Sequence, residues 1–278
     1  MKRIIAAIDA MQFSETQLDG FSYIARQTGG ELTILFLEDI SGYGVRLANT
    51  YAEANYTDPE RIAAEGLALR DRMKNEQLPA LKAMCARSDK EIKIREATGW
   101  PSDEVIAESR FADLLLINHD TSFAMLEDTN PPQFVMDALI KAECPVMVIP
   151  EEPLRIQELI FSYNGSASSM YAIRRFTELF PDYWDMPVQV VYADEDGKGK
   201  IPKLASLKAY LEPQYDNITY TILEGNPSSA FLSMLEHRRD CLVTFGAYGR
   251  NALSRFFHRS ETDSILRTLR TPLFITHP

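Results

Sequence analysis

Two glycines and a group of arginines carry the most suggestive chemistry in the chain. A short apolar run, Leu242-Val243-Thr244-Phe245, is followed at once by Gly246 and Gly249. A loop bearing Arg250, Arg255 and Arg259, with no acidic residue, then leads to Ser260. Beyond it Ile265, Leu266 and Leu269 fall on one face of a helix. Strand, glycine turn, basic loop and helix N-terminus together describe a place where backbone N–H groups could meet a phosphate. Each residue also has a plainer use. The glycines suit any turn needing positive φ. The run Ser260-Glu261-Thr262-Asp263 reads as a helix cap with Asp in the Glu position of a capping box. Surface arginines are most often solvated.

The elements that must position this loop are found by comparing the chain with itself. Ala112–Asp120 (ADLLLINHD) aligns with Arg239–Ala247 (RDCLVTFGA), and the same offset carries Pro145 onto Pro272 without a gap. Earlier, KRIIAAIDA aligns with QELIFSYNG, placing Asp9 over Asn164, and Gly99-Trp100-Pro101-Ser102 aligns with Gly225-Asn226-Pro227-Ser228. The blocks keep their order, so the chain is a tandem duplication. The first copy is the longer one, through extra material within Ser41–Lys90; its stretch from Pro59 on has helical composition and is read as a longer helix plus an insertion, a lid or interface element.

In the first half the pattern predicts strands at Arg3–Ile8, Leu32–Leu37, Glu91–Ala97, Leu114–Asn118 and Val146–Ile149. Helices are expected over Ser14–Thr28, part of Asp58–Ala86, Ser102–Arg110 and Pro132–Lys141. The second half repeats this with strands at Glu158–Ser162, Val188–Tyr192, Ile218–Leu223, Cys241–Phe245 and Leu273–Thr276. Its helices are Ser168–Phe180, Lys203–Glu212, Ser228–Arg238 and Glu261–Leu269. Apolar strands alternating with helices imply an α/β fold with a parallel sheet covered on both faces. Ligands of such sheets bind beyond the carboxyl ends of strands, where strand order reverses. Domains are expected at 1–150 and 155–278, joined through Glu151-Glu152-Pro153.

Composition narrows the partners. A chain of 278 residues with 45% hydrophobic and 25% charged residues is globular rather than disordered. A net charge of −11 argues against non-specific binding to nucleic acid or anionic membrane. The N-terminal apolar run is too short for a signal peptide and reads as a first strand, and no run approaches a membrane span. Three scattered cysteines, Cys85, Cys144 and Cys241, suit a reducing cytoplasm, and the four histidines form no metal-ligand pair.

The second half resembles a universal stress protein domain, and the whole chain resembles the tandem form of that family. ATP-binding members end their first strand in Asp and carry Gly-x2-Gly-x9-Gly-(Ser/Thr) after the fourth. Here Gly246, Gly249 and Ser260 match, while Arg259 replaces the third glycine and Asn164 replaces the aspartate. In the first half the corresponding positions hold His119, Ser122, Pro132 and Gln133, and the loop carries Asp120, Glu127 and Asp128; three carboxylates beside a triphosphate repel it unless a cation intervenes. Asp9 there is either a ribose ligand or the closure of its loop.

The resemblance implies two Rossmann-like domains of the adenine nucleotide alpha hydrolase type, each with a five-stranded parallel sheet. It also implies an intrachain pseudo-dimer paired through the last strands, with further homodimerisation left open. It places ATP or AMP, with or without Mg²⁺, in the second half against Ser162, Tyr163, Asn164, Tyr192, Gly246, Gly249, Arg259, Ser260 and Glu261. Asn164 would face the ribose, Tyr192 would border the base, and Arg259 would cover the phosphates. The expected function is a cytoplasmic stress-response protein that senses a ligand rather than turning it over, with the first half as a structural or partner-binding copy. The alternatives are an interaction protein with both pockets decayed, acting on a protein partner, and a weak ATPase. No nucleophile elbow or P-loop is present to support catalysis.

Overall fold

The computed structural model describes residues 1–39, 59–124, 128–194, 197–246 and 270–276. Its strands are β1 (Arg3–Asp9), β2 (Glu31–Asp39), β3 (Lys93–Gly99), β4 (Leu114–Asn118) and β5 (Val146–Ile149), then β6 (Glu158–Ser162), β7 (Val188–Asp194), β8 (Ile218–Glu224), β9 (Cys241–Gly246) and β10 (Leu273–Thr276). The helices are α1 (Glu15–Thr28), α2 (Pro59–Cys85), α3 (Pro101–Ser109) and α4 (Gln133–Lys141) in the first half. In the second half they are α5 (Ala167–Leu179), α6 (Leu204–Leu211) and α7 (Pro227–Leu235). Every expected strand is present. Of the expected helices, Glu261–Leu269 lies outside the described residues, as does all of the extra material ahead of Pro59. The part of the insertion that is described forms one helix of 27 residues, α2.

Local chemistry explains why the helices start and stop where they do. Ser14 caps α1 by accepting the Gln17 N–H at 3.1 Å, and Gly29 ends it in the left-handed region at φ 65°. Ser166 caps α5 in the same way, accepting from Ser169 N at 3.2 Å. The inner strands β1, β2 and β4 are almost wholly buried apolar runs, as a sheet covered on both faces requires, whereas the edge strands β3 and β8 alternate exposed and part-buried residues.

All ten strands form one sheet in the order β3-β2-β1-β4-β5-β10-β9-β6-β7-β8. The order reads the same from either edge once the halves are equated. Every pairing is parallel except β5 with β10, where Leu273 faces Val148, Phe274 faces Met147 and Ile275 faces Val146. That antiparallel join of last strands is the one a two-fold relation between the halves demands. One apolar layer gathers Ile4, Ala6 and Ile8 with α1, α2, α5 and α6; the other gathers Ile5 and Ala7 with α3, α4 and α7. The first layer runs unbroken across the join, where Phe176 lies 5.3 Å edge-on from Phe274 and 4.6 Å stacked on Phe180. Lys2 ties the halves together by donating to Thr28 O at 3.0 Å and Leu179 O at 2.7 Å, the carboxyl ends of α1 and α5. A cation there complements both helix dipoles.

Within each half the chain moves outward from its first strand and then returns to the other side of it. Strand order therefore reverses between β1 and β4, and again between β6 and β9. These are the two crevices where a ligand of this fold sits.

Candidate functional site

At the second-half crevice, β6 delivers Ser162, Tyr163 and Asn164, and β9 ends on Gly246. Tyr163 is buried in the apolar layer and donates its N–H to Val191 O at 2.9 Å; burial pushes its hydroxyl pKa up. Asn164 is exposed, and its Oδ1 accepts from Ser166 N at 3.0 Å, an Asx turn that leads the chain into α5. Gly165 follows at φ 78°, a conformation that favours glycine.

Gly246 meets the same helix from the other side. A Cβ built on it would lie 2.1 Å from Ser168 O and 2.5 Å from Ser169 N, so only glycine lets β9 approach the first turn of α5. Ser168 Oγ donates to Gly246 O at 3.3 Å, and Asn164 N donates to Ser169 Oγ at 3.5 Å. The fold thus brings Asn164 and Gly246 together over Ser168 and Ser169. The two serines carry no motif of their own, and their importance comes from a contact distant in sequence.

Tyr192 on β7 is half-buried against the apolar layer. Two residues on, Asp194 is buried, and its Oδ2 takes the Gly199 N–H at 2.5 Å, which folds the following loop back on the strand end. Gly249, Arg259, Ser260 and Glu261, together with Arg250 and Arg255, lie outside the described residues.

The first-half crevice has different chemistry. Asp9 closes its own loop, accepting from Met11 N at 2.8 Å, while Ser14 does the helix capping. Asn118 at the end of β4 is 1% exposed, and its Oδ1 faces the Asp120 N–H at 3.4 Å. His119, in the first glycine position, donates its backbone N–H to Ile149 O at 3.0 Å. Ser122, in the second, donates to Asp128 Oδ2 at 2.5 Å. Asp128 Oδ1 accepts from Thr129 N at 2.7 Å and from Gln133 N, the first residue of α4, at 3.3 Å. An internal carboxylate therefore holds the helix N-terminus that a bound phosphate would otherwise use. Between the strand ends lies a cavity of about 190 Å³ lined by Asp9, Phe13, Gln17, Asn118, Asp120 and Glu151, among others. Sequence reasoning singled out Asp9 and Asp120 but missed Asn118, which reads as the last residue of an apolar strand until burial is known.

Among the described residues no group of three or more His, Cys, Asp or Glu side chains is arranged to hold a metal ion. All three cysteines are buried, and burial pushes Cys144 and Cys241 up to about 12. No described helix is long and apolar enough to cross a membrane.

Two five-stranded units joined edge to edge, each with a crevice at its strand-order reversal, define a tandem α/β architecture. The tandem universal stress proteins have this fold. A universal stress protein from Archaeoglobus fulgidus superposes with a TM-score of 0.70 at 14% identity, over 98% of this chain and 96% of that one. A functionally unknown protein from Pseudomonas aeruginosa superposes at 0.59 and 14%, over 100% and 93%. In sequence, the chain is 20% identical to a universal stress protein of Synechocystis sp. over 98% of its length and 99% of the relative's. No protein-family model matches the chain.

Proposed function

We propose that this chain is a tandem universal stress protein that acts in the cytoplasm and binds an adenine nucleotide in its second half without appreciable turnover. The observation that carries the reading is the meeting of Asn164 and Gly246 over the first turn of α5, at the point where strand order reverses. In this reading the phosphates of ATP or AMP, with or without Mg²⁺, rest against Gly246, Gly249 and Ser260 and are covered by Arg259. Asn164 serves the ribose, Tyr192 borders the base, and Ser162, Tyr163 and Glu261 complete the site beside them. Recognition is by hydrogen bonds and charge, and no nucleophile or general base is asked for.

A second reading is favoured by a specific observation. Gly246 is required by the α5 contact alone, and Asn164 is occupied in its turn, so both have structural reasons to be what they are. On that account the chain is an interaction protein recognising another protein. Calorimetric titration with ATP, ADP and AMP, with and without Mg²⁺, separates the two, with Gly249→Arg run alongside. Micromolar binding at one site per chain, abolished in the variant, is the expected result. Absence of heat and of thermal shift with every nucleotide leaves the interaction protein.

A further inference from the structure

We propose that the free edge of β8 is a docking surface for the same strand of a second copy of this chain, the two sheets joining antiparallel about a two-fold axis. The inference uses no residue of either crevice and stands independently of nucleotide binding. Among the described residues β8 pairs only with β7 and ends the sheet on that side. Val188 lies in register with Ile218, and its N–H donates to Asn217 O at 2.8 Å. In a parallel ladder this turns the N–H and C=O groups of Ile218, Tyr220, Ile222 and Glu224 away from β7, toward the open side. A row of such groups is a template for another strand.

The two ends of the sheet differ, and the difference singles out β8. On β3 the edge is guarded by charge: Lys93 pairs with Glu31, Arg95 with Glu108 at 2.6 Å, and Glu96 with Lys74 of α2 at 2.7 Å. β8 reads Ile-Thr-Tyr-Thr-Ile-Leu-Glu, with its one charge at the end, and Ile222 is 37% exposed. What this edge fits is itself. With Thr221 on the axis the whole strand overlaps: Tyr220 faces Ile222, Thr219 faces Leu223 and Ile218 faces Glu224 of the other copy. The outward groups of Ile218, Tyr220, Ile222 and Glu224 then meet in hydrogen-bonded pairs, an aromatic side chain meets a β-branched one, and no like charges stand opposed. Moving the axis along the strand leaves an end unpaired. In a chain of net charge −11, this nearly uncharged edge is also where two copies approach with least repulsion. Because the β3 edge is guarded, the contact closes as a dimer and does not propagate as a fibre. The join lacks the aromatic cluster around β10, so it is weaker than the β5–β10 pairing and reverses on dilution.

The test is sedimentation velocity of the full-length protein from roughly 1 to 200 µM, a span that brackets micromolar self-association. A monomer–dimer equilibrium is expected. Ile222→Lys, at an exposed position, puts a charge on the edge and should raise the dimer dissociation constant at least tenfold, whereas Thr98→Lys on β3 should leave it unchanged. Register is read separately. On the axis Thr221 falls in a non-hydrogen-bonded pair, whose Cα separation of about 4.5 Å is within disulfide reach. Thr221→Cys is therefore expected to give a covalent dimer under mild oxidation, while Thr98→Cys stays monomeric on a non-reducing gel; the native thiols are all buried. Monomer at every concentration would overturn the proposal, as would a dimer that Ile222→Lys leaves intact or that Thr98→Lys disrupts. So would failure of Thr221→Cys to cross-link, or equal cross-linking of Thr98→Cys.

Discussion

At Gly246 the lack of a side chain is a packing requirement before it is anything else, since a Cβ there would stand 2.1 Å from Ser168 O. Backbone cannot yield as a side-chain tip can. Gly246→Ala is therefore expected to cost about 2 kcal/mol or more of stability, near the upper range for overpacking. Urea unfolding of the variant measures this, and an unchanged midpoint would show that β9 and α5 are looser than the geometry says. The cysteines give a second expectation at this scale. Cys144 and Cys241 are buried, and desolvation of the thiolate pushes both up to about 12. They should resist a thiol reagent at pH 8 in the native protein and react once it is unfolded. The linkage has a definite sign. A free thiol ionises near pH 8.5, so above that the unfolded chain binds fewer protons, and stability falls as pH rises toward 12.

The elements show how one position in a repeat can be satisfied in two ways. The register of β1 with β2 and of β6 with β7 makes Glu38 and Asp194 equivalent, and both are buried at the carboxyl end of their strand. Asp194 is met by the backbone N–H of Gly199. Glu38 is met by Lys74 of α2, whose Nζ lies 2.7 Å from Glu38 Oε1 and 2.7 Å from Glu96 Oε2. The longer helix of the first half thus docks on a buried charge. Hydrogen bonds to Glu38, then to Glu96, raise the lysine pKa. Lys74→Met should destabilise the chain by about 2–3 kcal/mol, below the cost of breaking a fully buried pair because the lysine is partly solvated. Since the folded pKa is raised, the contribution is complete below the ordinary lysine value and is lost as pH climbs through the folded one. The stability gap between wild type and variant should accordingly be constant from pH 7 to 9 and close above about 10.5. A gap unaffected by strongly alkaline pH would mean that α2 is held by packing alone.

For the whole molecule, the β5–β10 pairing is the decisive join. It buries the last strand of each half against the other and carries Phe274 into an aromatic group with Phe176 and Phe180. Expressed alone, residues 155–278 would present β10 as an unpaired, apolar edge strand. Pairing with the same strand of a second copy restores the antiparallel ladder, so this half is expected to be a dimer by light scattering. A monodisperse monomer would show that the join in the intact chain follows from covalent linkage rather than from strand complementarity.

The fold was legible in the sequence because its signals are local and doubled. Apolar runs of strand length alternate with amphipathic stretches, and each appears twice in the same order, so noise in one copy is corrected by the other. The pairing of the last strands was implied by the family resemblance, and their apolar character fits them to it as edges. The sites were less legible. Gly246 and Asn164 could be picked out by type and spacing, but the contact of Gly246 with Ser168 joins a strand and a helix some eighty residues apart in the chain. Asn118 and Thr121 show the same limit. Whether an amide at a strand end faces solvent, a hydrogen-bonding partner or a cavity is decided by what packs over it, and residue type and spacing along the chain hold no record of that.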